Sequence, residues 1–203
     1  ILSEDSEVTI KNIGLNPLRT GFIEILRMMG ANISIFDLKK MNGETVGSLT
    51  AKSSDLNGIE VPSNLIASSI DELPLIVLAG SQANGRTSIR NAKELRVKES
   101  DRISSMIKMM QSFTISVDEF DDGMDIFGGT IKGATINSFG DHRISMTAII
   151  AAMVSNGDIV VEDCQNIGTS FPRQLKDIFL TFEKAKLNVG LTKQKIFQLV
   201  NNV

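Results

Sequence analysis

The stretch Glu94-Leu-Arg-Val-Lys-Glu-Ser-Asp-Arg102 holds three acids and three bases within nine residues. Carboxylates can take and return protons, and grouped cations can hold a phosphate or a carboxylate. Directly afterwards Ile103, Met106, Ile107 and Met110 recur at the one-face spacing of a helix. Lys98 and Arg102 are therefore placed at a helix start, where the positive end of the peptide dipoles disfavours cations and favours an anion. Two accounts fit this stretch taken alone. Either an anion is held between the cations, or Lys98, Glu99, Asp101 and Arg102 pair on a solvated face, each pair contributing about 0.3–0.5 kcal/mol.

Basic residues stand at other predicted helix starts as well. Arg19 precedes an apolar face of Phe22, Ile23, Leu26 and Met29, with Gly30 as its C-cap. His142 and Arg143 precede the apolar run Ile144 to Val154, and Arg173 precedes Leu175 to Phe182, where Ser170 is a candidate N-cap and Pro172 suits the first turn. If these helix ends point the same way, several cations converge on one anionic ligand. Asp71 opens another apolar helix, Leu75 to Ala83, and fits either an N-cap or a general base. His142 is the only histidine; with no second His or Cys nearby, a metal site is not expected. Gly128-Gly129 lacks the flanking residues of a nucleotide-binding loop.

The elements that must position these residues repeat. Thr20 to Phe36, Ser100 to Val117 and Ser170 to Val189 each read as a helix followed by a strand. Asp71 to Arg90 and Asp141 to Glu162 each read as a buried helix, an Asn-Gly turn (Asn84-Gly85, Asn156-Gly157) and a strand. Further strands are expected at Val8–Ile13, Thr45–Ala51, Gly58–Pro62, Met124–Phe127 and Ala134–Asn137. A repeat of roughly 70–80 residues is longer than a solenoid unit and favours a closed assembly. Buried helices would fill the middle, with mixed sheets outside.

The 203 residues, 42% of them hydrophobic, suffice for one sizeable domain or two small ones. A net charge of −3 gives no global attraction to nucleic acid or to an acidic membrane surface, so an anion site must be local. One cysteine, Cys164, excludes an internal disulfide, fits a reducing compartment and is expected to pack as a small hydrophobe. No apolar run approaches the roughly 20 residues of a membrane span, and no signal peptide is evident. A first residue other than Met suggests that a piece upstream has been removed.

Asn16-Pro-Leu-Arg-Thr-Gly, Leu26-Arg-Met-Met-Gly-Ala31, Ile70-Asp-Glu-Leu-Pro74, Glu94 to Arg102, Gly140-Asp-His-Arg143 and Ser170-Phe-Pro172 resemble, in that order, motifs in the C-terminal half of the 5-enolpyruvylshikimate-3-phosphate synthase family. The resemblance extends to about Val189. It implies an α+β (α/β) domain of repeated βαβαββ units around buried helices, residues 1–190 forming one of the family's two domains and 191–203 a tail. It further implies transfer of enolpyruvyl from phosphoenolpyruvate to the 5-hydroxyl of shikimate 3-phosphate, with release of phosphate and without metal or organic cofactor.

In that reading Asp71 matches the acid near the 5-hydroxyl and Glu99 the proton-transfer acid. Lys98 matches a shikimate 3-phosphate contact, Arg102 and Arg143 the arginines that grip phosphoenolpyruvate, and His142 assists beside Arg143. A lysine usual before the Phe-Pro motif is replaced near Thr169. The other domain, with a catalytic lysine, would supply the opposite wall of the cleft, so this chain alone is expected to be inactive. A cytoplasmic, monomeric full-length enzyme is implied. The alternatives are a UDP-N-acetylglucosamine enolpyruvyl transferase-like domain, or a non-catalytic module that binds a phosphorylated ligand.

Overall fold

The computed structural model describes residues 1–162 and 167–170. The chain opens with β1 (Glu7–Gly14), a 3-10 turn Pro17–Arg19, α1 (Gly21–Met28), β2 (Ile33–Met41) and β3 (Glu44–Lys52). Short α2 (Ser63–Ile66) leads to α3 (Leu73–Ser81) and β4 (Arg86–Ile89). A second 3-10 turn, Lys93–Val97, precedes α4 (Arg102–Ser112), β5 (Val117–Phe120) and β6 (Gly123–Phe127). Then come β7 (Lys132–Asn137), α5 (His142–Ala151), β8 (Asn156–Glu162) and α6 (Ile167–Ser170).

Two of these groups share one topology. β1, α1, β2 and β3 form an antiparallel sheet in the order β1-β3-β2, and β4, α4, β5 and β6 form one in the order β4-β6-β5. In each, a strand and a helix precede a hairpin whose last strand inserts between the other two. The second kind of repeat is a crossover. β7 and β8 pair in parallel around α5, as an α-helical connection between parallel strands requires.

Gly58–Pro62, expected as a strand, forms no continuous ladder. It does run parallel to β4, through bridges at Asn57–Asn84 and Glu60–Ser88. Val61 N–H donates to the Ser88 carbonyl at 2.9 Å and Ser88 N–H to that of Ile59 at 2.8 Å. With this segment the order from Asn57 to Phe127 is βαβαββ, a complete copy of the expected unit, and its sheet is mixed. Gly58 permits the approach, since a Cβ there would lie 2.2 Å from the Arg86 carbonyl oxygen.

The helices lie inside. Leu73, Ile76, Val77 and Leu78 of α3, Ile103, Met106 and Met110 of α4, and Ile144, Ala148 and Ala151 of α5 are all buried in the main core. α3 is apolar nearly all round, and only Leu75 reaches solvent appreciably. α1 turns Ile25 and Met29 fully inward, with Phe22 and Leu26 packed at the edge of the core. Gly30, at φ +101°, ends this helix as a C-cap glycine. Gly85, at φ +91°, makes a bend directly before β4 while Asn84 is bridged to Asn57, and Asn156 and Gly157, expected as a turn, belong to β8. Cys164, Arg173, Leu175–Phe182 and residues 191–203 lie outside the described residues. No single described helix is long and apolar enough to cross a membrane.

Candidate functional site

Arg102 is the first residue of α4, and its side chain is 1% exposed. A guanidinium cannot shed its charge, so burial demands partners. Its Nε donates to Asp141 Oδ2 at 2.8 Å, and its Nη2 reaches Asp141 Oδ1 at 3.4 Å and the Glu99 carboxylate. Nη1 is buried with no hydrogen-bond partner. A solvated charge run is therefore ruled out for Arg102. The helix is capped one residue earlier, where Asp101 Oδ1 accepts from Ser104 N–H at 3.0 Å.

Asp141 lies at the N-cap of α5 and is itself fully buried. It accepts from Arg143 N–H at 2.9 Å, which is the capping bond, and from Ser100 Oγ–H at 3.1 Å. Burial pushes its carboxyl up. The hydrogen bond and charge of Arg102, then the Arg143 amide and the Ser100 hydroxyl, outweigh this and hold it below the ordinary carboxylate range. The loop before it makes a tight turn, with Phe139 at φ +53° and Gly140 at φ +73°. Asn137 Oδ1 accepts from Phe139 N–H at 2.8 Å and braces that turn.

Arg143 connects the two crossovers. Its Nη2 pairs with Asp71 Oδ2 at 3.0 Å, and its Nη1 donates to the Asp71 carbonyl at 2.9 Å. Arg19 reaches the same Asp71 carboxylate at 3.5 Å. Asp71 is therefore no helix cap: Glu72 occupies the N-cap of α3 and makes no side-chain capping bond. Arg143 Nε is buried without a partner. Burial first, and then the neighbouring Asp71 charge, raise the Glu72 carboxyl above its usual range, against the pull of Arg143 and Arg19.

The contacts thus run Arg19, Asp71, Arg143, Asp141, Arg102, Glu99. They link residues that the sequence sets far apart. Lys98, just outside α4, is turned to Glu94. His142 is half-buried in the first turn of α5 and makes no polar contact among the described residues. Asp141 is the site residue that spacing did not reveal. Its position at the head of an apolar helix, next to a His-Arg pair, was the available signal.

Exposure separates the carboxylates into two kinds. Asp141 is sealed in at 0%, whereas Asp71 and Glu99 are 29% and 49% exposed. An incoming anion can replace the two exposed carboxylates on their guanidinium groups, while Asp141 keeps Arg102 in place. Arg102 Nη1 and Arg143 Nε, both buried, have no hydrogen-bond partner.

The sequence pattern of the family described as EPSP synthase (3-phosphoshikimate 1-carboxyvinyltransferase) matches residues 1–178. A relative from Geobacter metallireducens named 3-phosphoshikimate 1-carboxyvinyltransferase is 46% identical over 168 residues, 82% of this chain and 39% of the relative. One of the same name from Legionella pneumophila (strain Lens) is 43% identical over 171 residues, 84% of this chain and 40% of the relative. Among solved structures, EPSP synthase from Acinetobacter baumannii superposes with a TM-score of 0.83 at 35% identity, covering 85% of this chain and 41% of that one. The enolpyruvyl transferase NikO from Streptomyces tendae, at 16% identity and TM-score 0.68 over 88% of this chain and 39% of that one, shares the fold. The chain spans about two-fifths of the length of the relatives it matches. With the repeated topology and the motif residues brought together as described, this match places the chain in the EPSP synthase family.

Proposed function

We propose that this chain forms one wall of a carboxyvinyl transfer site, at which enolpyruvyl passes from phosphoenolpyruvate to the 5-hydroxyl of shikimate 3-phosphate in aromatic amino acid biosynthesis. The observation that carries the reading is the buried Arg102, fixed by Asp141 yet with Nη1 unpartnered, beside an Arg143 whose Nε is likewise free. Planar guanidinium groups with spare donors suit the carboxylate and phosphate of phosphoenolpyruvate. The nucleotide-sugar alternative gains no support from the relatives above.

In the addition step the 5-oxygen bonds to C2 of phosphoenolpyruvate, its proton leaves to a base, and C3 gains a proton to become methyl. In the elimination C3 gives up a proton and the C2–O bond to phosphate breaks, which restores the double bond. Asp71 receives the hydroxyl proton and Glu99 serves C3; both are exposed enough to meet ligand. Lys98, free to exchange its surface pairing with Glu94, contacts the shikimate phosphate. Arg102 and Arg143 hold phosphoenolpyruvate, and His142 assists from the same helix end. The missing contacts come from a second domain across the cleft, in a cytoplasmic enzyme that works as a monomer.

The test is complementation. The 203-residue chain alone should release negligible phosphate from the two substrates, and adding the amino-terminal half carried by its relatives should restore turnover. Robust turnover by the chain alone, or none in the mixture together with no calorimetric binding of shikimate 3-phosphate, would overturn the reading.

A further inference from the structure

Arg96 stands inside the charged motif, yet none of the proposed chemistry uses it. Its side chain is 24% exposed, and all three guanidinium nitrogens are committed. Nε donates to the Asp121 carbonyl at 2.8 Å and Nη2 to that of Phe120 at 2.7 Å. Nη1 donates to Asp101 Oδ2 at 2.9 Å and Glu119 Oε1 at 3.0 Å. One planar group therefore fastens the N-cap of α4 to the end of β5 and the turn that follows it. The other carboxylate oxygen of Asp101 holds the capping bond to Ser104, so the cap and the fastening share one side chain.

The same turn also anchors the start of the motif segment. Asp122 Oδ2 accepts from Asn91 N–H at 2.7 Å, and the Asp122 carbonyl accepts from Ala92 N–H at 2.8 Å. The chain thus leaves the β5–β6 turn at Asn91 and Ala92, and Arg96 reaches back to that turn and ties Asp101 to it. Between these points lie the 3-10 turn and the extended Lys98, with Glu99 and Ser100. The excursion is closed at its far end by Arg96.

We propose that Arg96 is a positioning residue for the anion site: by holding Asp101 on the β5–β6 turn it fixes the loop that carries Lys98 and Glu99 and the point at which Arg102 enters α4. It touches no ligand. This inference rests on the carboxyvinyl transfer reading. A guanidinium is required because one planar group must serve two carbonyls and two carboxylates at once, which an ammonium cannot do.

The experiment compares Arg96→Ala, Arg96→Lys and Asp101→Ser in the active transferase, meaning this chain together with the complementary half. Asp101→Ser keeps an N-cap oxygen but cannot pair with Arg96. Arg96→Ala should raise KM for phosphoenolpyruvate and lower kcat, with kcat/KM falling roughly 10–100-fold, the scale of a small misplacement at a site. Arg96→Lys should fail to rescue it, added guanidinium should partly restore Arg96→Ala, and Asp101→Ser should move the same constants in the same direction. If Arg96→Ala does not fold, Asp101→Ser decides. Unsubstituted constants in the folded variants, with only the unfolding temperature lowered, would make Arg96 merely structural and overturn the inference while leaving the proposed function intact. An unsubstituted assembly that neither binds nor converts the substrates would overturn both.

Discussion

Arg102 Nε lies 2.8 Å from Asp141 Oδ2, and neither side chain reaches solvent. A charge that cannot be lost is thereby held by a carboxylate kept ionised. Removing one member of such a pair strands the other, at a cost of about 3–5 kcal/mol. Asp141→Ala should therefore lower the denaturant midpoint by that equivalent. Asp141→Asn, which can still accept the Arg143 capping bond, should lose less. A midpoint unchanged in both would mean that the guanidinium finds other partners.

Acid should reveal the same carboxylate. Asp141 is held below its unfolded value, so its contribution to stability is complete above the ordinary carboxylate range and is lost as pH falls through the lower folded value. Between those two values Asp141→Asn should flatten the fall in stability seen for the unsubstituted chain. Denaturant titrations across the acid range measure this.

Glu72 has the opposite sign. Burial, aided by Asp71, raises its carboxyl, so the folded state binds the proton more readily than the unfolded one and ionisation at neutral pH is a cost. Glu72→Gln should stabilise at neutral pH, and the gain should fade as pH falls through the raised folded value, being gone below the ordinary glutamate value of about 4.3. Paired unfolding curves at neutral and acid pH would expose a wrong sign directly.

Arg102→Lys should behave as a severe change. Lysine offers no fork for Asp141 and Glu99 and no spare in-plane donor, so KM for phosphoenolpyruvate in the assembled transferase should rise by about tenfold or more, equivalent to about 1.4 kcal/mol. Steady-state kinetics that match the unsubstituted enzyme would remove Arg102 from the ligand contacts.

Gly58→Ala probes the parallel segment beside β4. A Cβ 2.2 Å from a backbone oxygen cannot be accommodated without moving one chain, so stability should drop by about 1–3 kcal/mol. Thermal unfolding would measure it. Wild-type stability would mean that Gly58–Pro62 is a loose connection and not the first strand of the repeat.

Much of this fold is legible in residue order, because apolar periodicity marks the core-facing side of α4, and nearly unbroken apolar runs mark α3 and α5 as interior. In α1 the expected face of Phe22, Ile23, Leu26 and Met29 omits the fully buried Ile25, while Phe22 and Leu26 are only partly buried. Local pattern reaches less far elsewhere. Gly58–Pro62 does read as a strand, but that it runs parallel to β4, through bridges and not a continuous ladder, depends on a segment that comes later in the chain. Arg102 looked like a member of a wet charge run because its nearest charges are within four residues. Its strongest partner is Asp141, and only packing of α4 against α5 brings them together. Asp71 likewise looked like a cap until Arg143 and Arg19 arrived from other elements. The roles given to Glu99, Lys98 and His142 come from family likeness, since here Glu99 pairs with Arg102, Lys98 with Glu94, and His142 makes no polar contact among the described residues.

Asp141 binds the side chain of one arginine and the backbone of the other. It thus fixes the Arg102 guanidinium and the backbone from which Arg143 starts, while Asp71 takes the Arg143 guanidinium itself. Loss of Asp141 would therefore loosen the heads of α4 and α5 together, whereas loss of Asp71 would free one side chain and leave both helix starts in place.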